Sequence, residues 1–408
     1  MRGRGCGRKG YERLPLSTYA RVLVACLSLT TFACQSKPTG LLDGGICAFQ
    51  VPRPIELTAG SNHTCALLTC GGGVQCWGDN GFGQLGTGTT HVEYEPVRVI
   101  GLPADIQMLS AGGNHTCALS DGHVLCWGDN EFGELGNGSF ENTSTPVAVI
   151  GIGAEVETVT AGVNHTCATT VDGGALCWGD NAYGELGNGS DGGSATPVRV
   201  SGISDIDQLV AGDAMSCAIT SAGSVFCWGR NDSGQLGNNS TLGSSTPVQV
   251  AGLPWPAEFV TLGQAHVCAL LGLTMYCWGN NEYGQLGDGS TLDRLTPVLP
   301  LRIVPYSTTV ITAGGNHTCA AEEGGSCLCW GEGDHGELGD DSFDSTSSPV
   351  FVDMGGGVTV LVAGVSHTCA LQEKGILPAC WGAANDGQLG DNYGQPSDFP
   401  VPVDGWAQ

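Results

Sequence analysis

Fourteen cysteines and six histidines recur at fixed places along this chain, and both residue types can do chemistry. The cysteines fall in pairs nine to eleven residues apart: Cys65 with Cys76, Cys117 with Cys126, Cys167 with Cys177, Cys217 with Cys227, Cys268 with Cys277, Cys319 with Cys329, and Cys369 with Cys380. His63, His115, His165, His266, His317 and His367 each stand two residues before the first cysteine of a pair. In the fourth pair Met215 takes that place. Zinc ligation and disulfide formation both use these residue types. Structural zinc takes ligands two to four residues apart, converging from two elements. Two widely spaced thiols and one imidazole per unit favour the disulfide. Identical placement of six imidazoles argues for a repeated hydrogen bond and against a metal ring or a base catalyst.

The hairpin between each pair of cysteines predicts the pairing. In the second unit Asp121-Gly122 is a two-residue turn signal flanked by strand-forming residues. Centring the turn there sets Cys117 opposite Cys126, Ala118 opposite Leu125 and Leu119 opposite Val124. Counting outward, Cys117 and Cys126 form a non-hydrogen-bonded pair, where Cα atoms approach to about 4.5 Å, near the short end of the disulfide window. Val171-Asp172-Gly173 and Ser221-Ala222-Gly223 shift the turn by one residue and fit a three-residue loop with a left-handed glycine. Each small loop closure contributes about 2–3 kcal/mol on a chain-entropy account. Cys47, Cys70 and Cys327 are left over, so one thiol is expected to stay free or to join another chain.

The elements that position these residues are set by a repeat. An A-G-x-N-H-T-C-A string, or a close variant, places glycines at 60, 112, 162, 212, 263, 314 and 364. Tryptophans of a following C-W-G fall at 77, 127, 178, 228, 278, 330 and 381. A period of about 50 residues marks small supersecondary units that bury their faces on one another. Each unit holds four short β-rich pieces, in the second Ile106–Ser110, His115–Leu119, Val124–Trp127 and Pro146–Val149. Sustained helical periodicity is absent beyond the N-terminal stretch. The fold class is therefore all-β, a seven-bladed β-propeller of four-stranded blades filling residues 55–408. Trp127 follows Cys126 by one residue and points to the opposite face, while His115 shares the disulfide face.

Charge and the N-terminus bound the setting. The net charge is −26, and six of the 14 basic residues lie in the first 21 positions. Past residue 33, eight basic residues face 39 acidic ones. Such a surface repels phosphate backbones and anionic headgroups, which excludes nucleic acid as a partner class. Residues 1–34 read as an export signal, with a basic stretch before the apolar run Val22–Leu29, too short to span a bilayer. The run ends Thr31-Phe32-Ala33-Cys34, which resembles a bacterial lipobox with Cys34 as the lipidated residue. Residues 35–54 form the entry linker. The protein is expected at the outer membrane or cell surface as a lipoprotein, or otherwise secreted. Twenty cysteines fit that oxidising setting.

The strings Gly128-Asp129-Asn130-Glu131-Phe132-Gly133-Glu134-Leu135-Gly136, Thr145-Pro146-Val147, Gly284-Gln285-Leu286-Gly287 and Thr296-Pro297-Val298 carry a likeness to known proteins. Together with A-G-x-x-H-T-C-A-L they resemble the regulator of chromosome condensation repeat family, over all seven units. The resemblance implies a seven-bladed propeller. The paired cysteines depart from the nuclear members and suggest an exported bacterial branch. Guanine nucleotide exchange, as in the best-known member, is disfavoured by the export signal, the acidic chain and the lack of room for a wedge between blades.

An exported member with a similar layout, the second β-lactamase inhibitory protein, implies a loop-built face that grips a protein. Phe82, Phe132, Tyr183 and Tyr283 share one offset after C-W-G and are the candidate partner-binding residues. Ser233, His335 and Asp386 replace the ring in the other units. Packing between blades is the alternative use of these rings. No nucleophile–base pair, phosphate loop or carboxylate dyad can be assembled, so no catalytic residue, metal or cofactor is expected. The expected protein is a monomeric, non-enzymatic interaction scaffold with a protein partner, touching the membrane only through its lipid. A secreted inhibitor of a specific enzyme is the alternative.

Overall fold

The computed structural model describes residues 52–69, 71–301, 308–322, 325–373 and 377–406. The leader, the entry linker up to residue 51, Cys34, Cys47 and Cys70 lie outside the described residues.

Twenty-eight strands in seven antiparallel four-stranded sheets make up the described residues. The first blade holds β1 (Pro54–Ala59), β2 (His63–Leu68), β3 (Gly73–Gly78) and β4 (Glu93–Arg98), ordered from the channel outward. The second holds β5 (Ile106–Ala111), β6 (His115–Ser120), β7 (His123–Gly128) and β8 (Thr143–Ala148). Every blade is built from one unbroken stretch of chain. The innermost strand of the last blade, Val358–Ala363, packs on β1 and closes the ring.

The hairpin register is the expected one. Cys117 pairs with Cys126, Ala118 with Leu125 and Leu119 with Val124. Asp121 and Gly122 have φ of 47° and 73°, the double left-handed turn that matches strand twist. In the three-residue loops Gly173 and Gly223 take φ of 78° and 77°. All seven intra-blade disulfides are formed, with Cα–Cα distances of 4.0 to 4.1 Å. A chain stapled seven times folds in an oxidising compartment.

One boundary differs from expectation. β8 begins at Thr143, three residues before Pro146. Pro146 lies inside the strand because β8 is the outermost strand and needs no donor on its solvent edge. A register shift between Cys126 and Gly128 absorbs the irregularity.

The core lies between blades. Cys65, Leu67, Val74 and Cys76 of the first blade pack on Leu109, Ala118 and Trp127 of the second. The disulfide face of one blade thus covers the tryptophan face of the next. All seven C-W-G tryptophans are fully buried. Each indole N–H donates across the seam, as Trp127 Nε1 does to Gln84 O at 2.8 Å. Gly86 (φ 67°) lies flat against that indole, where a Cβ would come within 2.8 Å of Nε1. The aromatic burial therefore dictates the glycine.

Candidate functional site

The turn after the first strand and the long connection from the third strand to the fourth leave every blade at the same end of the ring. The hairpin turns and the links to the next blade lie at the opposite end. Every histidine and aromatic ring singled out in the sequence belongs to the first end, but the two sets do different things.

The histidines seal the seams. His63 Nε2 lies 2.9 Å from Thr116 Oγ1 of the next blade, and His115 Nε2 lies 2.8 Å from Thr166 Oγ1. The same bond joins His165 to Ser216, His266 to Thr318, His317 to Thr368 and His367 to Thr64. Each hydroxyl in turn donates to a carbonyl, Thr116 to Gln84 O at 2.9 Å, so the imidazole must be the Nε2 donor. That carbonyl also accepts the indole N–H, filling both lone pairs. Burial lowers the histidine pKa to about 3 for His63, His115, His266 and His317 and to about 4 for His165 and His367. They are neutral structural donors, spent on packing.

At the seam between the fourth and fifth blades, both partners change. Met215 stands for the histidine and Val267 for the threonine, and both enter one apolar cluster with Leu262. Leu262 itself replaces the small alanine that ends the other innermost strands. Sequence reasoning noted Met215 and missed Val267. The paired substitution at a fixed offset was the available signal that the histidine of one unit meets the threonine of the next.

The free thiol among the described residues offers no reactive site. Cys327 is free and buried in the cluster that holds Cys319 and Cys329. Burial pushes its pKa up to about 12, so the nucleophilic thiolate is suppressed. Among the described residues, no group of three or more His, Cys, Asp or Glu is arranged to hold a metal ion.

The connections after C-W-G are rigid platforms. Asn130 accepts from Leu135 N at 2.9 Å and donates to Ser139 O and Glu141 O, tying the loop to itself. Glu134 accepts from Phe132 N at 3.0 Å, and Gln84 accepts from Phe82 N at 2.9 Å. The ring of residue 82, 132 or 183 is thereby held at the loop tip. Phe82, Phe132 and Tyr183 are 38%, 39% and 49% exposed, so each ring presents part of its surface to solvent. Tyr283 is half-buried. The Arg230 guanidinium lies 5.3 Å from the Tyr183 ring centroid and donates to Asp232 at 2.7 Å, which orders the tyrosine. Further along the same connections Val92, Phe140, Leu242, Leu292, Phe343 and Tyr393 are also exposed. Those six were missed in the sequence, where single apolar residues among Gly, Ser and Thr carry little signal.

Gln84 and Glu134 occupy equivalent places with different chemistry. Gln84 Nε2 donates to Asp79 Oδ2 at 2.9 Å. As a carboxylate Glu134 has no proton to offer Asp129, and its Oε1 is buried without a partner among the described residues. Burial first, then Asp129 and Asp180, push its pKa up to about 7. Glu185 is likewise pushed up to about 7 by burial, with Asp180 and Asp213 adding to it.

Comparison with known proteins agrees with this architecture. The model of the RCC1-like domain matches residues 46–303. Models of the regulator of chromosome condensation (RCC1) repeat match residues 309–337 and 324–371. Human WBSCR16 superposes with a TM-score of 0.72 at 22% identity, over 81% of this chain and 93% of that one. Yeast RCC1 (Prp20), solved bound to Kap60, gives 0.71 at 21% identity over 93% and 91%. Prp20p from Saccharomyces cerevisiae, described with its binding properties to Gsp1p and histones, gives 0.70 at 23% over 88% and 87%. At these identities the likeness speaks for the fold.

Proposed function

This chain belongs to the RCC1-like family, and from that premise we propose that it is an exported, non-enzymatic scaffold that binds another protein. The observation that carries the reading is the set of exposed rings, Phe82, Phe132 and Tyr183, on loops clamped by their own side-chain hydrogen bonds. Tyr283 belongs to the same set at lower exposure. Aromatic anchors on a rigid frame lose little conformational entropy on binding, which is the physics of a protein hot spot. The binding of proteins described for the yeast relatives is consistent with a scaffold role.

In this reading residues 1–34 are removed or lipid-anchored at Cys34, residues 35–54 tether, and the propeller acts as a monomer outside the cytoplasm. A secreted enzyme inhibitor is the second reading, favoured by Tyr183 being pre-ordered under Arg230. Affinity capture from envelope extracts tests both. Wild-type protein should retain a partner that the variant Phe82→Ala/Phe132→Ala/Tyr183→Ala/Tyr283→Ala loses. Retention of one dominant enzyme selects the inhibitor; retention unaffected by the four changes overturns the scaffold reading. Palmitate labelling that survives Cys34→Ser removes the anchor from the account.

A further inference from the structure

The seven connections from third to fourth strand span residues 79–92, 129–142, 180–193, 230–243, 280–293, 332–345 and 383–396. They carry twenty carboxylates and one arginine, half of the acidic residues in the chain. Two arginines lie at this end among the described residues, and both are already paired. Arg230 meets Asp232 at 2.7 Å, and Arg294, which opens the outer strand of the fifth blade, meets Asp288 at 2.6 Å. Exposed carboxylates such as Glu131, Glu141, Asp191, Glu282 and Asp344 stand without a cation beside them in any ion pair of the described residues. Between them stand nine large apolar side chains, among them Leu242 and Tyr393, more than three-quarters exposed.

We propose that this end of the ring docks a lysine- and arginine-rich segment of a protein partner, with apolar residues between its cations. The proposal rests on the scaffold reading and names the chemistry of what the scaffold holds. The apolar tips seat the partner's aliphatic or aromatic side chains. The carboxylates between them receive its cations and steer the approach. An acidic segment would be repelled by the exposed carboxylates, and a neutral one would leave them without counter-charges. An arginine stem covers apolar surface while its guanidinium reaches a carboxylate, which suits a surface where rings and acids alternate.

A fluorescein-labelled peptide alternating lysine and leucine, titrated by anisotropy against the full propeller, tests this at low and at physiological ionic strength. Wild-type protein should bind it and reject the matching glutamate–leucine peptide. The variant Glu131→Gln/Glu141→Gln/Asp191→Asn/Glu282→Gln/Asp344→Asn should bind about tenfold more weakly and with a flatter salt dependence. Phe82→Ala/Phe132→Ala/Tyr183→Ala should weaken binding by a similar factor at both ionic strengths. Asp121→Asn/Glu155→Gln/Asp353→Asn, at the opposite end, should leave it unchanged. Absence of binding, or equal weakening from the opposite-end variant, overturns the proposal. If a captured protein depends on the four rings but not on the five carboxylates, this inference fails and the scaffold reading stands. If capture ignores the rings as well, both fail.

Discussion

His367 Nε2 and Thr64 Oγ1 lie 303 residues apart in the chain and share a 2.9 Å hydrogen bond. That contact seals the last blade onto the first with the same chemistry as five other seams. At the sixth comparable seam Met215 and Val267 replace both groups, and a buried apolar pair stands where the others bond. Losing both partners together avoids the penalty of orphaning one.

This relationship predicts a double-mutant cycle. Met215→His alone buries an imidazole N–H against Val267 and should cost about 1–3 kcal/mol. Val267→Thr costs less, because Gln235 O, which already accepts from Trp278 Nε1, can take the hydroxyl proton. The double variant should recover about 1–2 kcal/mol of coupling, read from chemical denaturation. Strict additivity would show that the two positions do not meet.

A second prediction concerns pH. The pKa of Glu134 is raised in the folded state, so its contribution is intact at low pH and is lost as pH rises through about 7. Glu134→Gln should therefore raise stability at pH 8 by about 2 kcal/mol and change little at pH 5. The gain comes partly from an amide able to reach Asp129, as Gln84 reaches Asp79. Melting temperatures at the two pH values check it, and an equal gain at both refutes the burial argument.

The six histidines act with the opposite sign. Their folded pKa values are lowered to about 3 or 4, so their support is complete above the ordinary value of 6.5 and falls as the solution is acidified. Between pH 6.5 and 5 each imidazole should cost about 1–2 kcal/mol as the unfolded chain takes up protons. The steepest acid loss should shrink in His115→Met/Thr166→Val, which rebuilds the Met215–Val267 pair at another seam. An unchanged acid limb in that variant would exclude the mechanism.

Non-reducing peptide mapping should recover seven links, each within one blade. Removing one with Cys117→Ala/Cys126→Ala should cost about 2–3 kcal/mol while leaving the ring assembled. Any link between blades would contradict the hairpin register.

Much of the fold was legible because its determinants are local. Asp121-Gly122 fixes the turn, the turn fixes the register, and the register brings Cys117 to Cys126. The seam partners were not legible in this way. His115 meets Thr166 only through the angle at which two twisted sheets pack, and no local rule supplies that angle. The outer strand runs back to Thr143, through Pro146, because an outer edge tolerates a residue without a donor where an inner strand would not. The rings at 82, 132 and 183 were recognised by offset, but their exposure depends on loops folded back by Asn80, Asn130 and Asn181. The scattered apolar tips, such as Leu242, had no period to betray them.

Each blade is a single stretch of chain, so no strand from one terminus completes the sheet of the other. Many ring-shaped assemblies need such a clasp; here the cyclic order is carried by seven near-equivalent seams. Joining the ends of the ring with a linker as long as residues 99–105 and cutting within another link would keep all seven sheets and all seven seams. The gene could begin at any blade and specify the same object.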